Sequence, residues 1–153
     1  MLIPYPYLFL LLPVAILARD DFRVRRVGIV WLAALGGTAA AAAWLVQGWR
    51  AMAEHTLCNV LLLLLSGILL TLCLRLRRMT ISRATGAGDV LFLLAVAPLF
   101  PPEGYLRFMI ACCLAALMWW VCCGRRYRTI PFVGTAGIVL AVWVAIECLH
   151  LWP

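Results

Sequence analysis

Six apolar runs, at about 2–18, 27–46, 57–74, 84–100, 108–123 and 130–149, leave little of this chain outside them. Each holds 16–20 residues. At about 1.5 Å of rise per residue, a helix of that length just crosses a hydrocarbon core of roughly 30 Å. Of the 153 residues, 67% are hydrophobic and 12% charged, against roughly 45–50% and about 25% in a soluble domain. So few polar side chains cannot coat a water-facing surface, and lipid is the expected solvent. The expected fold class is an all-α polytopic membrane protein of about six transmembrane helices, folded as a single domain over 1–153. No repeat, linker or low-complexity tail suggests a second unit. The first run lacks a basic segment before it, and Arg19 follows it, so it is expected to be a retained helix, bent near Pro13, and not a cleaved signal.

The net charge of +7 comes from thirteen basic residues, all arginine. Arg19, Arg23, Arg25 and Arg26 follow the first run; Arg75, Arg77, Arg78 and Arg83 follow the third; Arg125, Arg126 and Arg128 follow the fifth. The remaining loops hold only Arg50 and Arg107. This alternation reads as a topology signal and argues against nucleic-acid binding. Under the positive-inside rule it puts the first, third and fifth loops in the cytoplasm and both termini outside. Cys58, Cys73, Cys112, Cys113, Cys122, Cys123 and Cys148 all lie in or beside apolar runs without a C-x-x-C pair. They are expected to act as small apolar side chains. His55 and His150 fall on the outward side, and no role is assigned to them. Gly36-Gly37-Thr38 and the pair Gly134/Gly137 mark faces where helices can approach closely.

Among six acidic residues, Asp20, Asp21 and Asp89 share the cytoplasmic side, whereas Glu54, Glu103 and Glu147 lie toward the other. For the fourth run to span, it must begin near Ala84, which would put Asp89 about 7 Å inside the border set by Arg83. An ionisable group at such depth is a functional candidate. Gly86-Ala87-Gly88 just before it removes side-chain bulk and would let another backbone come close. Two carboxylates brought together can share a proton, one acting as base on water and the other as acid.

The stretch Asp21-Phe22-Arg23-Val24-Arg25-Arg26-Val27 resembles the first catalytic block of the type IV prepilin peptidase family. Gly86-Ala87-Gly88-Asp89-Val90 resembles its G-x-G-D-V block, and Ile130-Pro131-Phe132 its I-P-F block. The resemblance covers essentially the whole chain and is to the compact, peptidase-only members, so N-methylation is not expected. It implies catalytic aspartates at Asp21 and Asp89, substrate-facing glycines at Gly86 and Gly88, and neither metal nor other cofactor. The implied activity is cleavage of the short basic leader of prepilin or pseudopilin substrates at the cytoplasmic face of the bacterial inner membrane. The chain departs from the family pattern at Gly28-Ile29, at Leu91, and at Val133-Gly134, where glycine-proline is usual. Alternative expectations are a catalytically silent homologue acting as an assembly subunit, and a small proton- or cation-coupled transporter using Asp89.

Overall fold

A computed structural model describes residues 5–25, 27–76, 86–123 and 130–150, with the side chains of Tyr5, Leu149 and His150 outside the description. Arg26, Arg77, Arg78, Arg83, Ala84, Arg125, Arg126 and Arg128 also lie outside the described residues. The elements are all helical: α1 (Tyr5–Leu8), α2 (Leu11–Val24), α3 (Ile29–Gln47), α4 (Trp49–Leu76), α5 (Ala87–Val96), α6 (Pro102–Cys123) and α7 (Phe132–His150). A single 3₁₀ turn, Ala97–Leu99, extends α5. Among the described residues each apolar run holds helix, and α3, α4 and α6 are long and apolar enough to cross a membrane.

Helical spacing decides what each element buries. The buried residues of α3 are Leu32, Leu35, Ala39, Ala42 and Ala43. Those of α6 are Tyr105, Phe108, Cys112 and Ala116. In α7 the stripe is Val133, Ala136, Leu140 and Val144. These steps of three and four keep one face inward. On α4, by contrast, Asn59 is the one buried residue. Leu61, Leu64, Leu65, Ile68, Leu69 and Leu72 on that helix stand exposed. The mean hydropathy of its most apolar 18-residue stretch, 2.6, fits lipid on that surface, since water would not tolerate so large an apolar face.

Cross-contacts give the connectivity. Tyr7 meets Trp143 edge to face at 5.5 Å, while Phe22 lies against Gly134, so α1–α2 runs antiparallel to α7. Val27 lies against Gly88 and Ala95 against Gly36, so α3 and α5 run parallel. The end of α2 and the starts of α3, α5 and α7 therefore gather at one end of the bundle.

Three boundaries differ from the sequence expectation. The bend in the first run falls at Phe9–Leu10, between α1 and α2, which puts Pro13 in the first turn of α2, where a missing N–H costs no helical bond. The two loops expected on the outward side are short. α3 passes to α4 through Gly48 alone, at φ 82° and ψ 163°, a backbone state that in practice only glycine adopts. Arg50, Glu54 and His55 consequently sit on α4, and Glu103 and Arg107 form an ion pair on α6. Finally, α5 ends at Val96, where Pro98 and Pro101 interrupt it.

The carbonyls freed by that interruption are satisfied from other helices. Asn59 Nδ2 donates to Ala97 O and Phe100 O, both at 2.8 Å. Gln47 Nε2 donates to Leu99 O at 2.9 Å, and Tyr105 Oη–H donates to Leu93 O at 2.9 Å. Each unmet carbonyl in an apolar interior would cost about 1–3 kcal/mol, so these side chains hold the broken helix in place.

Candidate functional site

The candidate site lies where α2 ends and α5 and α7 begin. Asp21 continues the buried stripe Leu10, Val14, Leu17 of α2 and is 7% exposed. Burying an ionised carboxylate costs several kcal/mol unless donors or charges meet it. Here the donors come from another helix. Pro131, just before α7, has no side-chain acceptor to cap the first turn. Asp21 takes that place, accepting the Gly134 N–H at 2.8 Å, with the Val133 N–H alongside favouring its charged form. Those amides have no partner inside their own helix, and the positive end of the helix dipole favours an anion there.

Asp21 stands past the apolar run, beyond Arg19. Burial pushes its carboxyl above the ordinary carboxylate value, while the Gly134 N–H, the Arg25 guanidinium and the Val133 N–H pull it back down. Arg25 itself closes α2 in the left-handed conformation, φ 56° and ψ 34°, with its N–H bonded to Asp21 O at 3.3 Å. A non-glycine residue in that state costs of order 1–2 kcal/mol.

Asp89 occupies the third position of α5, and its Oδ2 accepts the Gly86 N–H at 3.1 Å. The helix starts at Ala87, with Gly86 extended at φ −79° and ψ 142°. Asp89 is therefore a first-turn residue, nearer the helix end than the start at Ala84 expected from span length. It is half-buried, and the Asp21 charge reaches it. The two carboxylates, 68 positions apart in sequence, are brought into one electrostatic neighbourhood.

The two glycines of the second block differ in their surroundings. Gly86 is exposed, and among the described residues the Asp89 carboxylate is what lies close to where its Cβ would be. At Gly88 a Cβ would stand 2.9 Å from Val27 Cγ2 and 3.1 Å from Val27 Cβ. The clearance that the sequence reading reserved for a peptide is filled at Gly88 by the chain itself. Asp20, one residue from the buried stripe, is only half-buried.

Gly134 and Phe22 are the participants that sequence reasoning passed over. In the sequence Gly134 stands out as a packing position and as part of the Val133-Gly134 departure, and Phe22 carries no expectation of its own. The usable signal was Pro131: a helix opening on proline without a polar cap needs an acceptor from elsewhere.

Two shallow apolar grooves complete the surroundings. One, about 260 Å³, is lined by Pro6, Phe9, Thr38, Ala41, Ala42 and Leu45. The other, about 290 Å³, lies between α6 and α7 and includes Trp119 and Thr135. Neither is lined by an aspartate, but Trp119 packs against Phe22 with ring centroids 5.0 Å apart. The second groove therefore adjoins the residues that hold Asp21. The hydroxyls of Thr38, Ser66, Thr71 and Thr135 all donate to carbonyls of their own helices. Comparison with protein families, with curated proteins and with solved structures finds no match to this chain.

Proposed function

We propose that this protein is a membrane aspartic endopeptidase that removes the short basic leader of prepilin-like proteins at the cytoplasmic face of the bacterial inner membrane. The observation that carries the reading is that Asp21, which accepts the Gly134 N–H, and Asp89, next to the Gly88 that meets Val27, stand at the same end of the bundle on helices far apart in sequence. A peptide bond is hydrolysed when one group takes a proton from water as it attacks the carbonyl carbon and another protonates the leaving amine. Two carboxylates sharing a proton supply both functions and titrate as a unit. In this reading the substrate is a pilin or pseudopilin whose apolar helix stays in lipid and meets the enzyme from the side. The resemblance of the three sequence blocks names that substrate class. Both termini then lie outside the cytoplasm, as the arginine distribution implies.

The test is leader cleavage by purified protein in detergent. Proton transfer by a positioned group is worth roughly 10²–10⁴ in rate, and groups acting as a unit are not additive. Asp21→Asn, Asp89→Asn and the double variant should all lose cleavage to a similar, near-complete extent. A single variant that cleaves at the wild-type rate would end the aspartic mechanism.

A further inference from the structure

We propose that Gly134 is a positioning residue for Asp21: its missing side chain lets the Phe22 ring lie across the start of α7, which seats the Asp21 carboxylate on that helix's free amides. The inference rests on the peptidase reading for its kinetic consequence, but its geometry stands apart from it.

Phe22 and Asp21 are consecutive on α2, so the ring and the carboxylate move together. A Cβ on residue 134 would lie 2.8 Å from Phe22 Cε2 and 3.0 Å from both Cδ2 and Cζ. Carbon atoms prefer about 3.5–4.0 Å. Either α7 or the end of α2 would have to retreat by a large fraction of an ångström. The ring has little freedom to turn away, because Trp119 packs on it from α6. One turn on, Gly137 lies against Val14 and Ala18 of α2, at 3.2 and 3.4 Å from its would-be Cβ. The glycine pair thus sets the distance between the two helices along their shared face. At its first member that distance also sets the 2.8 Å bond between the Gly134 N–H and Asp21. Any added bulk there acts on the carboxylate directly.

Among the described residues, the charge that acts on Asp21 is Arg25 at the end of its own helix, and Asp21 in turn acts on Asp89 of α5. The contribution of α7 is backbone N–H, and that of α6 is the Trp119 ring behind Phe22. Withdrawing the amides from Asp21 removes donors to the charged form, so the carboxyl must then titrate at higher pH.

The test is a double-mutant cycle of Gly134→Ala and Phe22→Ala, read by prepilin cleavage across pH. Gly134→Ala should lower kcat on the order of 10²-fold, the effect of a displacement near 1 Å at a reacting group, with KM little changed. The acid limb of the profile should move to higher pH. In the Phe22→Ala background the added Cβ has room, so Phe22→Ala and Phe22→Ala/Gly134→Ala should have equal rates and equal acid limbs. Equal losses from Gly134→Ala in both backgrounds, or a wild-type profile for Gly134→Ala, would overturn the proposal. If Gly134→Ala does not fold alone, the comparison of the two Phe22→Ala proteins decides: equality supports it and a further loss overturns it.

A second measurement needs no substrate and separates this inference from the peptidase reading. The Asp21 carboxyl is titrated by carbon NMR in detergent in the Asp89→Asn protein. Gly134→Ala should shift that titration upward, and Phe22→Ala should cancel the shift. An unchanged titration overturns the inference even if the protein cleaves prepilins. A shifted titration in a protein that cleaves none upholds it and ends the peptidase reading instead.

Discussion

Asp21 stands on the stripe Leu10, Val14, Leu17 that α2 buries, and Asp20 stands beside it. One residue of helical rotation, about 100°, separates a buried carboxylate bonded to α7 from one at the margin. Burial also makes Asp21 a burden on the fold, with a definite sign. Its folded carboxyl titrates above the ordinary value of 3.8, so folding favours the protonated form. That stabilisation is full below the ordinary value and is lost as pH rises through the folded one. At neutral pH the ionised group therefore opposes folding. Asn at this position keeps an oxygen for the Gly134 N–H and carries no charge. Asp21→Asn should accordingly melt at a higher temperature than wild type at pH 7, with the difference closing as pH falls toward 4. Asp20→Asn should leave the melting temperature unchanged at both. Tryptophan fluorescence melts in detergent measure this, and an Asp21→Asn protein that melts lower at neutral pH would contradict it.

Among the elements, α5 departs furthest from a regular transmembrane helix. Its ten α-helical residues and one 3₁₀ turn reach only about 20 Å, and what holds it is side-chain chemistry from neighbouring helices. Asn59, fully buried on the otherwise lipid-facing α4, donates twice into the break. Gln47 donates to Leu99 O and its Oε1 lies 2.9 Å from His55 Nδ1. The clamp fixes the far end of α5 and so contributes to where Asp89 stands at the near end. Asn59→Leu keeps the volume but strands two buried carbonyls, at about 1–3 kcal/mol each. Ser66→Ala, seven residues on, removes only a hydroxyl bonded to Leu62 O of its own helix, whose loss is close to neutral. Thermal melts should show a drop for Asn59→Leu well beyond that for Ser66→Ala. Equal stability of the two would mean that the break is held by packing alone.

At the scale of the whole molecule, geometry and charge describe the same alternation. Phe22 with Gly134 and Val27 with Gly88 gather the end of α2 and the starts of α3, α5 and α7 at one end, the end to which eleven of thirteen arginines also belong by sequence. Under the positive-inside rule that end is the one expected in the cytoplasm. Reporters fused after Arg26, Arg83 and Arg128 should read as cytoplasmic. Because Arg50 and Arg107 lie inside helices, the outward reporters belong after Gly48 and Pro101, and these should read as external. A mixed pattern across Arg26 and Arg83 would separate Asp21 from Asp89 by the width of the bilayer and exclude their acting as a pair.

The chain by itself determined its solvent, its helices and the residues that stand apart chemically. Apolar runs of membrane length and clustered arginines are local properties, readable because hydrophobic partition acts residue by residue. The three aspartates were conspicuous for the same reason: few acids exist in the chain, and each is costly near lipid. Tertiary structure alone decided which amides meet Asp21, because Gly134 lies 113 positions away and no spacing rule links them. It also decided that Val27 fills the space at Gly88, that Asn59 serves a break in another helix, and that Phe22 and Gly134 form one contact. Hydrogen bonds and steric fit between distant segments depend on how the helices are set against one another, and no run of neighbouring residues encodes that distance.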